Sequence, residues 1–399
     1  MAAAKSLQLP LLTKVGSEAI PVVIKQCEGR YFEETYKLLN RQAVSDGIFT
    51  KHEIERNQLT CTKTSQKPET KVSIAVVTEK NPDDVMCVMS VAPSRLCRST
   101  RPMLGTGISV SQAKYGDSAL KDIYTHAMKL DAMQGRVGMH ALVSVSGPSL
   151  PAAVSLGATV TGAVPYANCL TKEVYADDIM MYLSYKTDST NPQQYQNILE
   201  DRRKPLPALQ RDVSMVPDLC EWNQFEAQEI RTKLGMVRIR SIRTLEELWE
   251  TERMIRRAAE NGQGFGIDEF NEQGHFNRSF LKNVDILVAE NADGDVIGAT
   301  LFGPSNLSRA KTSVIAHQYM VVKDSFRNAG IGQALLARCE DILQHQGYRM
   351  IISDTYLNNH AMMHIFRKGG FAFRGSFPYC SYMNDVGPVQ SLLTCKDLI

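Results

Sequence analysis

The stretch HQYMVVKDSFRNAGIGQALL, residues 317–336, decides how this chain is read. A β-rich run over 314–322 leads into Arg327-Asn-Ala-Gly330-Ile-Gly332, and a helix is predicted from Gln333 to about Gln346. Leu335, Leu336, Cys339, Ile342 and Leu343 recur at three and four, which places them on one face for packing against a sheet. Glycines at a strand-to-helix turn let the backbone approach a ligand and leave the first helical N–H groups free. Together with the positive end of the helix dipole, those N–H groups suit a phosphate or pyrophosphate. No Lys-Ser/Thr pair follows, so the turn is not a nucleotide-triphosphate loop. Gly330 and Gly332 have no third glycine at the dinucleotide spacing, and the turn lies late in its segment. What is left is R-x-x-G-x-G between a long strand and an amphipathic helix.

Downstream, residues 348–354 (YRMIISD) supply a strand, and residues 359–371 (NHAMMHIFRKGGF) supply a helix closed by glycines. With these segments in place the chain resembles the GNAT superfamily of acyl-CoA-dependent N-acyltransferases. Arg327, Gly330 and Gly332 match its [RQ]-x-x-G-x-[GA] pattern. Asn359, Phe366, Lys368, Gly370 and Phe371 follow its N-x-x-A-x-x-x-Y-x-K-x-G-F helix, with the alanine one residue early. The resemblance covers 237–399. It implies a mixed, mostly antiparallel sheet flanked by helices, with acetyl-CoA as co-substrate and no metal. It also implies that the backbone of Met320, Val321 and Val322 pairs with the pantetheine arm. The turn residues Arg327, Asn328, Ala329, Gly330, Ile331, Gly332 and Gln333 would then hold the pyrophosphate, with Asn359 and Phe366 beside the coenzyme. One departure matters: the family's tyrosine that protonates the departing thiolate is Phe366 here, and a phenyl ring has no proton to give. Tyr356, Tyr379 and Tyr319 are alternative donors.

Acyl transfer needs a deprotonated amine, a polarised thioester carbonyl and a stabilised thiolate. The strand entering the turn offers His317, Gln318 and Tyr319 as catalytic candidates. His317 suits a general base near neutral pH, with a partly buried structural histidine as the alternative. Alternation sets Gln318 on the opposite face with Ala316 and Met320, unless a bulge intervenes. Gln318 takes no proton but can hold a water or an amide. His360 and His364 lie four apart on a helix, without the third ligand or HExxH context that a metal requires. No Cys or Ser sits in an activated-nucleophile pattern, which favours direct transfer in a ternary complex; Cys380 reads as packing.

The two halves of the chain read alike at a spacing of about 213 residues, as a duplicated domain does. Strand-like residues 20–24 and a helix over 30–46 match 237–242 and 245–261. The β-rich runs 71–78 and 85–91 match 284–290 and 296–302, each pair joined by a turn, and Asp293-Gly294 marks the second. Gly162-Ala-Val-Pro-Tyr166 matches Gly375-Ser-Phe-Pro-Tyr379, and both tyrosines are candidates for pocket walls or domain edges. Carried across, the repeat puts Tyr115 at the place of Gly330 and Asp117 at that of Gly332. The first blocks close approach and the second repels a pyrophosphate. Pro148, Pro151 and Gly157 interrupt the counterpart of the helix at 359–371. The fold expected is therefore α/β (α+β), two tandem GNAT-fold domains. A degenerate one spans 18–186, a linker 187–236, with possible helix at 222–234, and the catalytic one 237–399. The polar stretches 51–69 and 264–282 are loop-like insertions at matching places.

Composition bounds the rest. A chain of 399 residues exceeds one compact core, and 43% hydrophobic with 22% charged residues is ordinary globular composition. A net charge of +2 and the lack of a dense Lys/Arg run give no reason to expect nucleic acid or an anionic membrane as partner. Nine cysteines, an odd number with no C-x-x-C, argue against a disulfide framework or zinc site. No apolar run reaches a membrane span, and the first residues carry neither a secretory h-region nor arginine, so a cytoplasmic location is the default. The expected function is transfer of an acetyl or other short acyl group from acyl-CoA to a small-molecule amine or amino acid, by a monomer or homodimer. The alternatives are a non-catalytic acyl-CoA-binding regulator and a protein or peptide N-acetyltransferase.

Overall fold

A computed structural model describes residues 9–26, 72–93, 104–111, 116–133, 136–144, 149–171, 174–185, 222–266, 284–305, 314–384 and 386–398. The helix expected over 30–46, the loop at 51–69, most of the loop at 264–282, and Tyr115 lie outside them. The chain divides into two compact units, one drawn mainly from residues 1–190 and the other mainly from 191–399.

The first unit runs β1 (Leu11–Val15), β2 (Ile20–Gln26), β3 (Val72–Thr78), β4 (Val85–Pro93), β5 (Leu104–Ser111), α1 (Gly116–Met133), β6 (Gly138–Ser144), α2 (Ser149–Ser155), β7 (Thr159–Thr171) and β8 (Val174–Ser184). Its strands order as β1-β2-β3-β4-β5-β6-β8-β7, every neighbouring pair antiparallel except β5 with β6. The second unit runs β9 (Gln228–Thr232), β10 (Gly235–Ser241), α3 (Leu245–Glu260), β11 (Asp285–Glu290), β12 (Val296–Pro304), β13 (Ile315–Val322), α4 (Ile331–His345), β14 (Met350–Tyr356), α5 (His360–Lys368), β15 (Ala372–Met383) and β16 (Gly387–Asp397). Its order, β9-β10-β11-β12-β13-β14-β16-β15, repeats the first with the single parallel pair at β13 and β14.

The likeness extends to irregularities. Parallel neighbours need a crossover, and α1 and α4 provide it at the same place in each unit. In both sheets the last hairpin carries a bulge, between Val164 and Asn168 on β7 and between Phe377 and Ser381 on β15. Tyr166 and Tyr379 occupy these bulges with φ of 54° and 51°, a left-handed conformation that side chains rarely adopt. A strained bulge repeated at one register position is a built feature of the fold rather than a local accident.

In the second unit the sheet is covered on both faces. Thr244 caps α3 by accepting from the Glu247 N–H at 3.3 Å, and Glu246 and Glu247 favour the same end through the helix dipole. The apolar stripe of α3, including Leu248, Met254, Ile255 and Ala258, packs with Ile242, Val288, Leu301 and Val321 on one face. Leu335, Cys339, Ile342 and Leu343 of α4 pack with Ile239, Leu287, Ala316 and Ile351 on the other. The face assigned to this helix from its three-and-four spacing is the buried one, Leu336 included.

Three expectations are corrected. The stretch 222–234 holds no helix: residues 228–232 form β9, hairpinned to β10 through a turn where Gly235 takes φ of 108° and Thr232 Oγ1 donates to its carbonyl at 2.9 Å. Trp222 is buried in the α3-side core, so the second unit's structure begins ahead of residue 237 and the linker ends earlier than expected. Pro151 does not interrupt α2, because it sits in the first turn, where a missing N–H breaks no helical bond. No helix among the described residues is long and apolar enough to cross a membrane.

Candidate active site

The parallel ladder between β13 and β14 holds Ile315–Met350, Ala316–Ile351 and His317–Ile352 and stops there. Both strands continue, β13 along β12 to Val322 and β14 along β16 to Tyr356. They therefore diverge, and the main chain of β13 past His317 faces a gap. Main-chain groups alternate sides along a strand. Lys323 N–H donates to Ile297 O at 2.9 Å, which turns the odd residues of β13 toward β12, and Ser353 Oγ donates to Gln318 O at 2.9 Å, which turns the even ones toward the gap. Met320 thus turns its N–H and carbonyl toward the gap and Val322 its N–H, the Val322 carbonyl already accepting from Arg327 Nε, in the manner of an opened sheet edge. Val321, expected to pair alongside them, turns its backbone to β12 instead, because register fixes parity.

The turn closes the wide end of this gap. Gly330 caps α4 with φ of 94°, and a Cβ built there would meet nothing within 4 Å, so the space beside it is open. Gly332 has a different reason: its Cβ would lie 2.9 Å from Ile365 Cδ1 and 3.2 Å from Met320 Sδ, so any side chain there would have to push aside the ends of both. The first ladder bond of α4 is Ala334 N–H to Gly330 O at 3.1 Å, which leaves the N–H groups of Ile331, Gly332 and Gln333 without helical acceptors. Asn328 also takes a left-handed φ, of 61°, while Ala329 is buried and its carbonyl accepts from Lys233 N–H at 3.4 Å. Arg327 folds back along the turn, donating to Val322 O at 3.3 Å and Gln263 Oε1 at 2.6 Å and pairing with Asp324 at 2.7 Å. Beside it a groove of about 880 Å³ opens along α3, with Arg253, Arg257, Lys323 and Arg327 in its walls.

Side chains lace the start of the split on both faces. On the α4 face Gln318 is fully buried, donating to Thr300 Oγ1 at 3.0 Å and accepting from Ser353 Oγ at 3.2 Å. Its amide is a strut within the sheet, not a group held out to substrate. On the α3 face His317 Nε2 lies 3.0 Å from Asp354 Oδ1, and Ser391 Oγ donates to Asp354 Oδ2 at 2.9 Å. Tyr319 stacks on the His317 ring, centroids 4.4 Å apart at 27°. The β12–β13 register runs unbroken from Gly298–Val322 to Pro304–Ala316, so no bulge disturbs the alternation that separates His317 and Tyr319 from Gln318.

The remaining expected residues scatter. Asn359 caps α5, its Oδ1 accepting from Met362 N–H at 3.2 Å. Phe366 is buried, its ring 4.9 Å from that of Phe371. Among the alternative proton donors Tyr356 is fully buried, Tyr379 is exposed on its bulge, and Tyr319 stacks on His317. His360 and His364 are exposed on α5, and no cluster of metal-ligating side chains occurs among the described residues. Asp354 and Ser391 escaped sequence reasoning. Asp354 lay in a stretch read only as a strand, and nothing in the local pattern marks Ser391.

Residues 234–371 match the model of the acetyltransferase (GNAT) family. Two curated relatives, the L-methionine sulfoximine/L-methionine sulfone acetyltransferases of Pseudomonas paraeruginosa and Pseudomonas aeruginosa, are each 27% identical over 112 residues. The match takes in 28% of this chain and spans 64% of the relatives' own length. Among solved structures, a GCN5-related N-acetyltransferase from Kribbella flavida is 17% identical, with a TM-score of 0.34 over 40% of this chain and 97% of that one. A GNAT-superfamily phosphinothricin acetyltransferase from Sinorhizobium meliloti, determined in complex with AcCoA, is 15% identical, with a TM-score of 0.34 over 42% and 89%. At these values the two structures add nothing to the topology described above.

Proposed function

Taking residues 234–371 as a GNAT-family domain, we propose that the second unit transfers an acetyl or other short acyl group from acyl-CoA to the amine of a small molecule or amino acid. The observation that carries the reading is the β13–β14 split, with uncapped helical N–H groups at its mouth. The N–H groups of Ile331, Gly332 and Gln333 fit a pyrophosphate, and the even residues Met320 and Val322 fit the amide-bearing pantetheine arm. The names of the curated relatives support an amino-acid-like acceptor.

The transfer is direct. The amine lone pair forms the new C–N bond at the thioester carbonyl, its proton passes to the His317 imidazole, and the C–S bond breaks to release coenzyme A as a thiolate. We assign the return of a proton to that thiolate to Tyr319, a reading supported by its stacking on His317. The first unit has the same strand order but begins α1 with Gly116-Asp117, and we assign it no coenzyme.

Titration calorimetry with acetyl-CoA, followed by release of free coenzyme A over a panel of amines and amino acids, tests the reading. Gly330→Tyr is expected to abolish coenzyme binding and Tyr115→Gly to leave it within about twofold, a change of under about 0.5 kcal/mol, since the first unit is assigned no coenzyme. Coenzyme binding without turnover on any amine would instead mark a non-catalytic acyl-CoA-binding protein. Equal loss from both substitutions would place the coenzyme in both halves.

A further inference from the structure

His317, Asp354 and Ser391 come from three adjacent strands, β13, β14 and β16, and meet on the sheet face that α3 covers. The side chains of His317 and Asp354 are 11% and 10% exposed, enough burial that a carboxylate there needs partners on both oxygens. It has them: His317 Nε2 at 3.0 Å on Oδ1 and the Ser391 hydroxyl at 2.9 Å on Oδ2. The Tyr319 ring stacked at 4.4 Å leaves the imidazole little freedom to turn.

We infer that Asp354, itself held by Ser391, is a positioning residue that fixes the His317 imidazole as proton acceptor for the incoming amine. The inference rests on the acyltransferase reading. An ionised carboxylate at Nε2 selects the tautomer that carries its proton there, which leaves the lone pair on Nδ1. When Nδ1 takes the amine proton, the imidazolium is paired with a carboxylate already in place, and nothing must reorganise. The Ser391 hydroxyl occupies the other oxygen and stops the carboxylate rotating away. The same contacts on the opposite face, Gln318 with Thr300 and Ser353, hold the split without a titratable group, so a purely mechanical clasp would not call for a carboxylate and an imidazole.

The test is a double-mutant cycle on the full chain with acetyl-CoA and its best amine. Asp354→Asn is expected to lower kcat by about 100-fold or more, the range general-base catalysis contributes, with KM for acetyl-CoA changed less than about threefold. Added to His317→Gln it costs nothing further, because both remove one function. Should Asp354→Asn fail to fold, Ser391→Ala takes its place, with a smaller kcat loss of roughly tenfold that also disappears in the His317→Gln background. Independent, multiplying losses, or a loss that falls on the KM for acetyl-CoA, reduce Asp354 to a strut and overturn the inference while leaving the acyltransferase reading standing. Absence of turnover by the unsubstituted protein overturns both.

Discussion

Phe366 shows what a single position says once its surroundings are known. The family pattern sets a tyrosine there, so its phenyl ring reads at first as a missing proton donor. In the fold the ring is 2% exposed and packed against the ring of Phe371, just past the end of α5. Restoring the hydroxyl by Phe366→Tyr is expected to bury an unpartnered polar group at a cost of about 1–3 kcal/mol, a drop of several degrees in Tm, without raising kcat. Thermal unfolding and coenzyme A release on the same preparation check it; a higher kcat at unchanged Tm would return position 366 to the site. Gly332 is the opposite case. Its glycine was legible from the motif, but its reason, contact with Ile365 and Met320, was not, because both partners come from other elements.

At the scale of elements, α3 was legible because its signals are local: a capping threonine, acids in the first turn and an apolar stripe. What anchors it is less local. Arg240 on β10 lies between Glu247 of α3 and Glu290 of β11, bidentate to the first at 2.7 and 3.1 Å. Burial alone would raise the Glu247 carboxyl, but the Arg240 hydrogen bonds and charge outweigh it and hold the group below its ordinary 4.5. A carboxylate depressed in the folded state contributes stability that is present above its unfolded value and lost as pH falls through the folded one. The Tm of the second unit is therefore expected to fall as pH drops below about 4.5, and the Tm gap to Arg240→Leu to narrow over the same range. Scanning calorimetry from pH 7 to 3 reads it; a constant gap would show that the ion pair does not couple to protonation. β9 was misread for the complementary reason. QEIRT is short and polar with exposed positions, and only pairing with β10 makes it a strand.

The whole molecule repeats one strand order twice, and among the described residues four cysteines lie in the interior of the two units. Cys87, Cys339, Cys380 and Cys395 are all buried. Burial pushes the Cys87 thiol up to about 12, and burial with nearby carboxylates lifts Cys339 well above its ordinary 9.0. Only a thiolate reacts, so these four are expected to resist iodoacetamide at pH 8 in the native protein and to label fully in denaturant, as peptide mass spectrometry would show. Native labelling at Cys339 would mean that the α4 core opens readily. For these four, the reading as small buried hydrophobes was available from an odd count of cysteines with no C-x-x-C pair, which argues against a disulfide framework or zinc site.

The amino-acid sequence by itself determined the features that depend on neighbours along the chain: the glycine turn, the helices flanking it, and the repeated succession of strands. Backbone conformation at a glycine and apolar periodicity along a helix are local physics, and they are written locally. Only the tertiary structure decided which of Met320, Val321 and Val322 face the gap, that Gln318 is a strut, and that Asp354 and Ser391 join His317. Those three side chains are each 37 residues from the next and on separate strands, and the register that aligns them is set by long-range pairing in which a shift of one residue reverses every face.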